Sequence, residues 1–599
     1  MTATRTLDGR GRRALANVAL GETKADTVVR GGRLVNVYTG EIYDCDVAVS
    51  GNRVAAIGAV DRTVGPDTDV VDAAGTYLLP GYIDHHCHVH ESQLTISEFA
   101  SAVLPLGTTG VATDHYGEMS VGGKQAVRES LDAAAALPLK VFFILGGPGY
   151  YQNHPFGHSG WPTLDDMLEM LEWDECIGMN EAFAARVVDD EEKIISLVEG
   201  VIAAGKWVCS HGAEMNDPRA NAWKAYLGAT DDHESVSAED ALLRARLGIY
   251  VSVREGAGCY NLEQVIRAIT EHRVDHRRFC FNDDVPEITA IARQGHLDHL
   301  MRKAIGAGLP PVAAVQMATL NAAECLGVDR DYGSISPGKI ADIVLVDDLR
   351  TLRARTVIAD GRVVAVDGEL TESLPPTHFS DYAYGTVKLP RPVEADDFKI
   401  DAGSSSGKVQ IRVIEASGET VTTQESHEEM DAEDGQVGGD PRRDLLKIAA
   451  IERVVGNGMT GVGIVRGFKL RDGALATTFN AQQENIIVVG TNDADMVVAA
   501  NALSEAGGGF VCVQGGEVRG MLALPLFGLL SEQPYREVVA ELDALNAMVR
   551  DLGCDMPSPF PTLGFVGLPV DIGHLKICPE GLVDVWKRAV VPILVDAGV

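Results

Sequence analysis

The sequence predicts an α/β protein in which a (β/α)8 (TIM) barrel lies beside a small composite β domain and an α+β C-terminal domain. Three observations support this prediction. Strand-like and helix-like segments alternate through the middle of the chain. Short alternating segments separated by turn residues lie on both sides of that stretch. The rest of the 599 residues carries strand and helix patterns of its own.

The predicted barrel covers residues 80–334. Its strand candidates are short runs rich in β-branched and aromatic residues, at 109–113, 140–144, 176–179, 207–210, 249–253 and 279–281. Helical stretches separate them, for example at 191–204 and 238–247. Because barrel enzymes keep their chemistry at the carboxyl ends of the strands, the polar residues that follow these runs are the candidate site.

The flanks of the barrel predict one small β domain made of residues 1–79 and 335–385. Residues 27–37 and 46–57 alternate between apolar and polar side chains and contain Gly-Gly and Gly-Asn pairs typical of turns. A similar pattern returns at 338–346 and 357–364, so we expect the barrel to be inserted between the two halves of this domain.

Residues 386–599 are expected to form a separate C-terminal domain. A strand-like run at 408–414, a buried-strand pattern from residue 485 and helical periodicity at 534–552 support this expectation. The polar run 425–440 is interpreted as a solvated loop.

Composition and charge exclude several classes of partner. The net charge of −35 disfavours binding to nucleic acid or to an anionic membrane surface. Ten cysteines without a C-x-x-C pair indicate neither a disulfide framework nor a zinc ribbon. No secretory signal is expected, and no window reaches the roughly 18 apolar residues of a membrane span. We expect a cytoplasmic homo-oligomer that acts on a small molecule.

Two histidines, His86 and His88, come at the end of the apolar stretch that opens the predicted barrel. Residues two apart on a strand point to the same face, so on a short strand these imidazoles can hold one metal ion. The alternative is a pair of exposed loop histidines. Further potential ligands at the ends of later strands favour the metal site.

Those further candidates are polar residues that follow later strand segments: Glu181, His211, His233, Asp283 and Asp284. Singly, each has an ordinary explanation, such as a helix cap or a satisfied core histidine. Together with His86 and His88, they supply enough ligands for two divalent ions, of Fe, Mn or Zn, that share a carboxylate. Such a pair lowers the pKa of a bridging water, which makes hydroxide available near neutral pH. Asp283 is nearer the strand than Asp284, so we expect Asp283 to bind metal and to pass the water's proton to a leaving group.

This pattern resembles the amidohydrolase superfamily, and the chain from about residue 25 onward resembles the adenine deaminase family. The similar segments include residues 80–88, 107–109, 232–235, 254–256, 283–284, 295–298, 317–323, 336–342, 485–492 and 524–531. The resemblance implies that Glu181 is the bridging carboxylate, where many relatives use a carboxylated lysine. It also implies that a metal-bound hydroxide attacks the amino-bearing ring carbon of adenine and releases ammonia.

Four segments depart from the family pattern, at residues 89–92, 114–118, 210–214 and 481–485. We therefore expect the substrate to be adenine or a related aminated heterocycle, such as another purine or a pterin. His90 and His115, from two of these segments, are predicted to contact it.

Three further residues are candidates for the same site. Glu214 stands three residues after His211, which resembles the H-x-x-E of cytosine and adenosine deaminases, where the Glu carries a proton to the ring nitrogen. The alternative is that Glu214 caps or salt-bridges the next helix. Arg254 and Glu255 follow another strand and are predicted to contact the substrate. Arg254 is expected to orient a ring carbonyl or an anionic group, and a structural Arg-Glu ion pair is the alternative.

Three functions remain open at this point. The first is a metal-dependent deaminase of an aminated heterocycle. The second is a cyclic amide hydrolase, which opens a ring without releasing ammonia. The third is a metal-binding or assembly protein without activity, which the complete set of ligands disfavours.

Overall fold

The computed structural model describes residues 7–147, 162–189, 191–213, 215–569 and 573–595. Within those ranges, no helix is both long and apolar enough to cross a membrane. Glu214, one of the predicted catalytic residues, lies outside the described residues.

The chain begins with a helix and a group of strands that belong to one sheet. They are α1 (Gly9–Leu20), β1 (Thr27–Val35), β2 (Ile42–Ser50), β3 (Arg53–Gly58), β4 (Asp69–Asp72) and β5 (Tyr77–Pro80). The predicted Gly51-Asn52 turn joins β2 to β3, which pair antiparallel from Ser50 opposite Arg53.

A closed parallel barrel follows, and the predicted α/β fold class is confirmed. Its strands are β6 (Tyr82–Asp84), β7 (Thr108–Thr113), β8 (Lys140–Gly146), β9 (Cys176–Phe183), β10 (Trp207–His211), β11 (Asp231–Asp232) and β12 (Tyr250–Gly256), then, after the short β13 (Cys259–Tyr260), β14 (Phe279–Asn282). A parallel bridge between Cys87 and Asp284 closes the ring. Strand β11 has only two residues, too few to show a sequence pattern.

Helices surround the barrel strands. They are α2 (Ile96–Val103), α3 (Tyr116–Ala134), α4 (Leu164–Leu171), α5 (Ala184–Val188), α6 (Glu192–Ala203), α7 (Asp217–Leu227), α8 (Ala238–Arg246), α9 (Leu262–Val265), α10 (Arg267–Thr270), α11 (Ile288–Gln294), α12 (Leu297–Gly306), α13 (Pro311–Ala318) and α14 (Leu320–Cys325). Asn216 and Ser237 cap the N-termini of α7 and α8 by accepting backbone N–H bonds. These caps fix where each helix begins after its strand.

The chain then returns to the first sheet. It adds β15 (Ile343–Val346), β16 (Ala354–Ala359), β17 (Arg362–Val366) and β18 (Glu369–Leu370). Strand β15 pairs antiparallel with β5, with Val344 opposite Leu79, so segments from both sides of the barrel form one sheet.

The C-terminal region is a mixture of strands and helices. Its strands are β19 (Ser406–Ser417), β20 (Thr420–Glu433), β21 (Gln436–Val437), β22 (Leu446–Ile451), β23 (Thr460–Arg466), β24 (Ala474–Thr477), β25 (Ile486–Gly490), β26 (Gly509–Gln514), β27 (Glu517–Ala523), β28 (Leu575–Cys578), β29 (Gly581–Asp584) and β30 (Ala589–Val591). Its helices are α15 (Asp493–Ala506), α16 (Tyr535–Asp551) and α17 (Pro559–Val566).

The interpretation of residues 425–440 as a loop is wrong for most of that run. Residues 425–433 lie in β20, which pairs antiparallel with β19. Cross-strand ion pairs explain how so polar a segment forms a strand: Lys408 Nζ lies 2.8 Å from Glu429 Oε1, and Arg466 contacts Glu428 at 2.5 Å.

The C-terminal region packs directly against the barrel. One hydrophobic cluster contains Phe143 and Leu145 of β8 together with Phe479 and Leu530. The backbone N–H of Ser531 donates to the carbonyl of Gln93 at 2.9 Å. The carboxyl end of the barrel is therefore covered by side chains from a different part of the chain.

Candidate metal centre

Five of the predicted ligands converge at the carboxyl end of the barrel. His86, His88 and Glu181 form one group, and Glu181, His211 and His233 form a second. Within each group, the candidate ligand atoms lie within 4.8 Å of one another. Glu181 belongs to both groups, which is the arrangement that a carboxylate shared by two ions requires.

The spacing around Glu181 leaves room for cations. Its Oε1 atom lies 3.3 Å from His88 Nε2, 3.6 Å from His233 Nε2 and 3.8 Å from His211 Nδ1. Among the described residues, no group makes a well-aligned hydrogen bond to His86 Nε2 or to either ring nitrogen of His211, although all three atoms are buried. Burying such groups unpaired is costly, and imidazole with carboxylate is a donor set that suits Fe, Mn and Zn. The residues present therefore fit a pair of divalent ions.

The backbone around Glu181 explains why its side chain reaches the centre. Glu181 has a left-handed φ of 52°, and the pairing of β9 with β10 changes register between Val208 and Ser210. The Glu181 N–H donates to Asn180 Oδ1 at 2.9 Å. Bulges of this kind re-aim side chains beside active sites. Burial raises the pKa of Glu181, but the imidazoles of His211 and His88 hold that pKa well below its usual value.

The structure places Asp284 beside the candidate ligand histidines, where Asp283 was predicted to lie. Asp284 Oδ1 lies 3.1 Å from His86 Nε2 and 3.6 Å from His88 Nε2. Asp283 instead lies beside His296, at 3.5 Å, and its N–H donates to Asp84. The reason is a turn directly after β14: Asp284 has a φ of 66°, which brings the second carboxylate back over the barrel.

The pKa values of the two carboxyl groups agree with this correction. Burial, opposed by His296 but reinforced by Asp84, raises the pKa of Asp283 to about 8. Burial acts in the same direction on Asp284, but Arg254 and His86 hold its pKa at about 2. The low pKa of Asp284 therefore favours its ionised form at neutral pH, whereas the raised pKa of Asp283 favours its protonated form.

Arg254 faces acidic protein side chains. Its Nη1 atom lies 2.5 Å from Glu234 Oε1 and 3.1 Å from Asp284 Oδ2. The alternative of an Arg-Glu ion pair is met by Glu234 and not by Glu255, which forms an ion pair with Lys303 and accepts the N–H of Leu262 at 3.3 Å. The predicted contacts of Arg254 and Glu255 with substrate stay predictions.

His90 and His115 lie close to the centre but make contacts of their own. His115 Nδ1 lies 3.1 Å from Glu118 Oε1, and His90 Nδ1 lies 3.9 Å from Glu118 Oε2. The His90 ring is 6.1 Å from the His88 ring and packs edge-on against Tyr116. Their predicted contact with substrate stays a prediction.

Three side chains that contact the candidate ligands were not among the predicted site residues. Asp114 lies 3.1 Å from His88 Nδ1 and fixes that ring, as carboxylates behind metal-binding histidines do. Glu234 Oε1 lies 3.2 Å from His233 Nε2. The sequence does mark Asp114 and Glu234, since Asp114 immediately follows a strand and Glu234 immediately follows a predicted ligand. Gln482, which donates to Glu181 Oε2 at 2.6 Å, comes from the C-terminal region and has no such signal.

Comparisons with known proteins cover almost the whole chain. Residues 77–368 match the amidohydrolase family, and residues 420–589 match the adenine deaminase C-terminal domain. An adenine deaminase of Moorella thermoacetica is 39% identical over 588 residues, which cover 97% of this chain and 98% of the relative. An adenine deaminase of Clostridium botulinum is 36% identical over 591 residues, or 98% of each chain. The solved dihydropyrimidinase of Brevibacillus agri is 15% identical with a TM-score of 0.44, over 58% of this chain and 96% of that one.

Proposed function

Because this chain belongs to the adenine deaminase family of amidohydrolases, we propose that it hydrolyses adenine to hypoxanthine and ammonia. The observation that carries the proposal is Glu181, which two groups of imidazoles share at the carboxyl end of the barrel. Ring opening of a cyclic amide is not favoured, since the full-length relatives are named adenine deaminases.

The candidate ligands of the two divalent ions are Glu181, His86, His88, His211, His233 and Asp284. Ions bound there lower the pKa of water and so supply a nucleophile near neutral pH. Fe, Mn and Zn all suit this set, so metal identity and stoichiometry belong to the proposal.

Asp284 is the residue proposed to move protons during the reaction. It accepts a proton from the attacking water as the new bond to C6 of adenine forms. It then gives that proton to the departing amino group as the C6–N6 bond breaks, so that adenine and water become hypoxanthine and ammonia. Arg254 supports this role by keeping Asp284 ionised between turnovers.

Glu214 is proposed to protonate the ring nitrogen next to the attacked carbon, and to recover a proton from the C6 hydroxyl as that oxygen becomes the carbonyl of hypoxanthine. The support for this role is its place three residues after His211, which resembles the H-x-x-E of other deaminases. Replacement by Gln removes the transferable proton, so Glu214→Gln is expected to lower kcat strongly while metal content stays the same.

An assay of ammonia release tests the proposed function directly. Metal-reconstituted protein is incubated with adenine, adenosine, an aminated pterin and dihydrouracil, and each product is identified by mass spectrometry. We expect ammonia and hypoxanthine from adenine, with activity lost on chelation and restored by Mn, Fe or Zn. Ring opening of dihydrouracil, or no turnover of adenine by the metal-loaded protein, would contradict the proposal.

A further inference from the structure

The loop that joins β24 to β25, residues 478–485, reaches from the C-terminal region to the metal centre. The carbonyl of Asn480 accepts the N–H groups of Gln483 at 2.9 Å and of Glu484 at 2.7 Å. Gln482 and Glu484 both have left-handed backbones, with φ of 63° and 53°. Such conformations are strained for residues that carry a side chain, and they cluster at functional sites.

Gln482 acts on the carboxylate that the two groups of ligands share. Its Nε2 atom donates to Glu181 Oε2 at 2.6 Å. The other oxygen, Glu181 Oε1, is the one that faces His88, His211 and His233. The amide of Gln482 therefore holds one oxygen and fixes the rotation of the carboxylate, which leaves Oε1 directed at the imidazoles.

Glu484, two residues further along the same loop, is fully buried. Among the described residues, no donor makes a well-aligned hydrogen bond to either carboxylate oxygen, although the backbone N–H of Asn480 and the buried guanidinium of Arg453 lie within electrostatic range. Glu91, whose Oε2 atom also has no well-aligned donor among the described residues, and Tyr116 lie within the same range. A buried carboxylate has a lower free energy when donors are aligned on its oxygens, so those oxygens are free to accept N–H groups from a ligand.

We propose that the C-terminal region contributes two functional side chains to the active site. Gln482 is a positioning residue for the shared carboxylate of Glu181. Glu484 is a substrate-binding residue that accepts an N–H of the heterocycle, and this second role rests on the proposed function. Adenine offers such donors at its amino group and at its imidazole ring.

Metal retention tests the role of Gln482 without reference to any substrate. Gln482→Leu keeps the volume but removes the donor, so we expect metal affinity or kcat to fall by about 10–100-fold. Gln482→Asn, which keeps an amide but shortens its reach, serves as a second variant if Gln482→Leu folds poorly. Gln410→Leu, at an exposed glutamine of β19, is the matched control. Metal content, chelator resistance and kcat equal to wild type in both Gln482 variants would overturn this role.

The role of Glu484 is tested by separating KM from kcat. Glu484→Gln keeps the shape but weakens the acceptor, so we expect KM for adenine to rise at least tenfold with metal content and Tm unchanged. The exposed Glu505→Gln on α15 is the control. An unchanged KM, or a lower Tm with unchanged KM, would show that Glu484 is only structural.

The metal-retention and KM experiments can fail independently of the proposed function. If wild-type protein does not deaminate adenine, the proposed function fails, while the metal-retention experiment still decides the role of Gln482. Calorimetric titration of wild-type and Glu484→Gln protein with hypoxanthine then decides the role of Glu484. Equal affinity of the two proteins, or no binding by wild type, would overturn it.

Discussion

At the scale of single residues, Asp283 and Asp284 offer a matched pair for testing the proton transfer. The two carboxylates are adjacent and both are buried, yet only Asp284 faces His86 and His88. We predict that Asp284→Asn lowers kcat for adenine by about 10²–10⁴-fold, because the amide cannot accept the proton. Steady-state kinetics with metal-reconstituted protein measure the effect.

Asp283→Asn is the internal control for that experiment. Its carboxyl has a pKa of about 8 in the structure, so it is largely protonated at neutral pH, and an amide replaces it with little change in charge. We expect less than a tenfold loss of kcat. A larger loss in Asp283→Asn than in Asp284→Asn would reverse the two roles.

A second prediction concerns how the buried Lys576 changes stability with pH. Lys576 is fully buried, and its Nζ atom donates to the carbonyls of Val421 and Phe565, both at 2.8 Å. Burial lowers its pKa to about 7. An unfolded lysine has a pKa of about 10.4, so between these values the unfolded state binds more protons and stability rises with pH by up to about 1.4 kcal/mol per unit. The destabilisation is absent above the unfolded pKa and complete below pH 7.

Thermal unfolding at two pH values measures this contribution. Lys576→Met removes one donor each from the carbonyls of Val421 and Phe565, of which Phe565 still accepts the N–H of Leu568 at 3.1 Å. This cost does not depend on pH, so the change with pH is the diagnostic quantity. The Tm difference, Lys576→Met minus wild type, should be more positive at pH 7 than at pH 9.5. The same difference at both pH values would mean that the buried lysine does not titrate in this range.

At the scale of elements, Arg254 joins the ends of two barrel strands. It lies near the end of β12 and contacts Asp284, just beyond β14. Since its positive charge lowers the pKa of Asp284, Arg254→Met should raise that pKa. When kcat/KM is plotted against pH, the acidic limb of the curve should therefore move to higher pH by about one unit or more.

A conservative variant controls for loss of packing at Arg254. Arg254→Lys keeps the positive charge, so its acidic limb should move less than that of Arg254→Met. If both variants lose activity equally at every pH, with no shift of the limb, Arg254 contributes only to folding.

Sequence patterns predicted most of the barrel elements because buried strands are rich in β-branched and aromatic residues. His211 and His233 were found as candidates because each ends or directly follows a strand. The choice between Asp283 and Asp284 failed because a left-handed turn, which no sequence pattern marked, rotates the second residue inward. Strand β20 was missed because its charges are neutralised by cross-strand partners that lie far away in the sequence.

At the scale of the whole molecule, the site is completed by a part of the chain remote in sequence. Gln482 contacts Glu181, although the two residues lie 301 positions apart in the sequence. The barrel and the C-terminal region share one hydrophobic cluster, so the loop that carries Gln482 is held against the barrel by packing. A contact of this kind depends on how two regions dock, and local sequence patterns do not encode docking.

We propose that Glu181 is shared by two divalent ions. A crystal structure of the metal-reconstituted protein, with anomalous data collected at the absorption edge of the added metal, locates each ion. Two peaks are expected, each about 2.0–2.3 Å from a Glu181 oxygen, one beside His86 and His88 and the other beside His211 and His233. A single peak, or two peaks that Glu181 does not contact, would contradict the proposal.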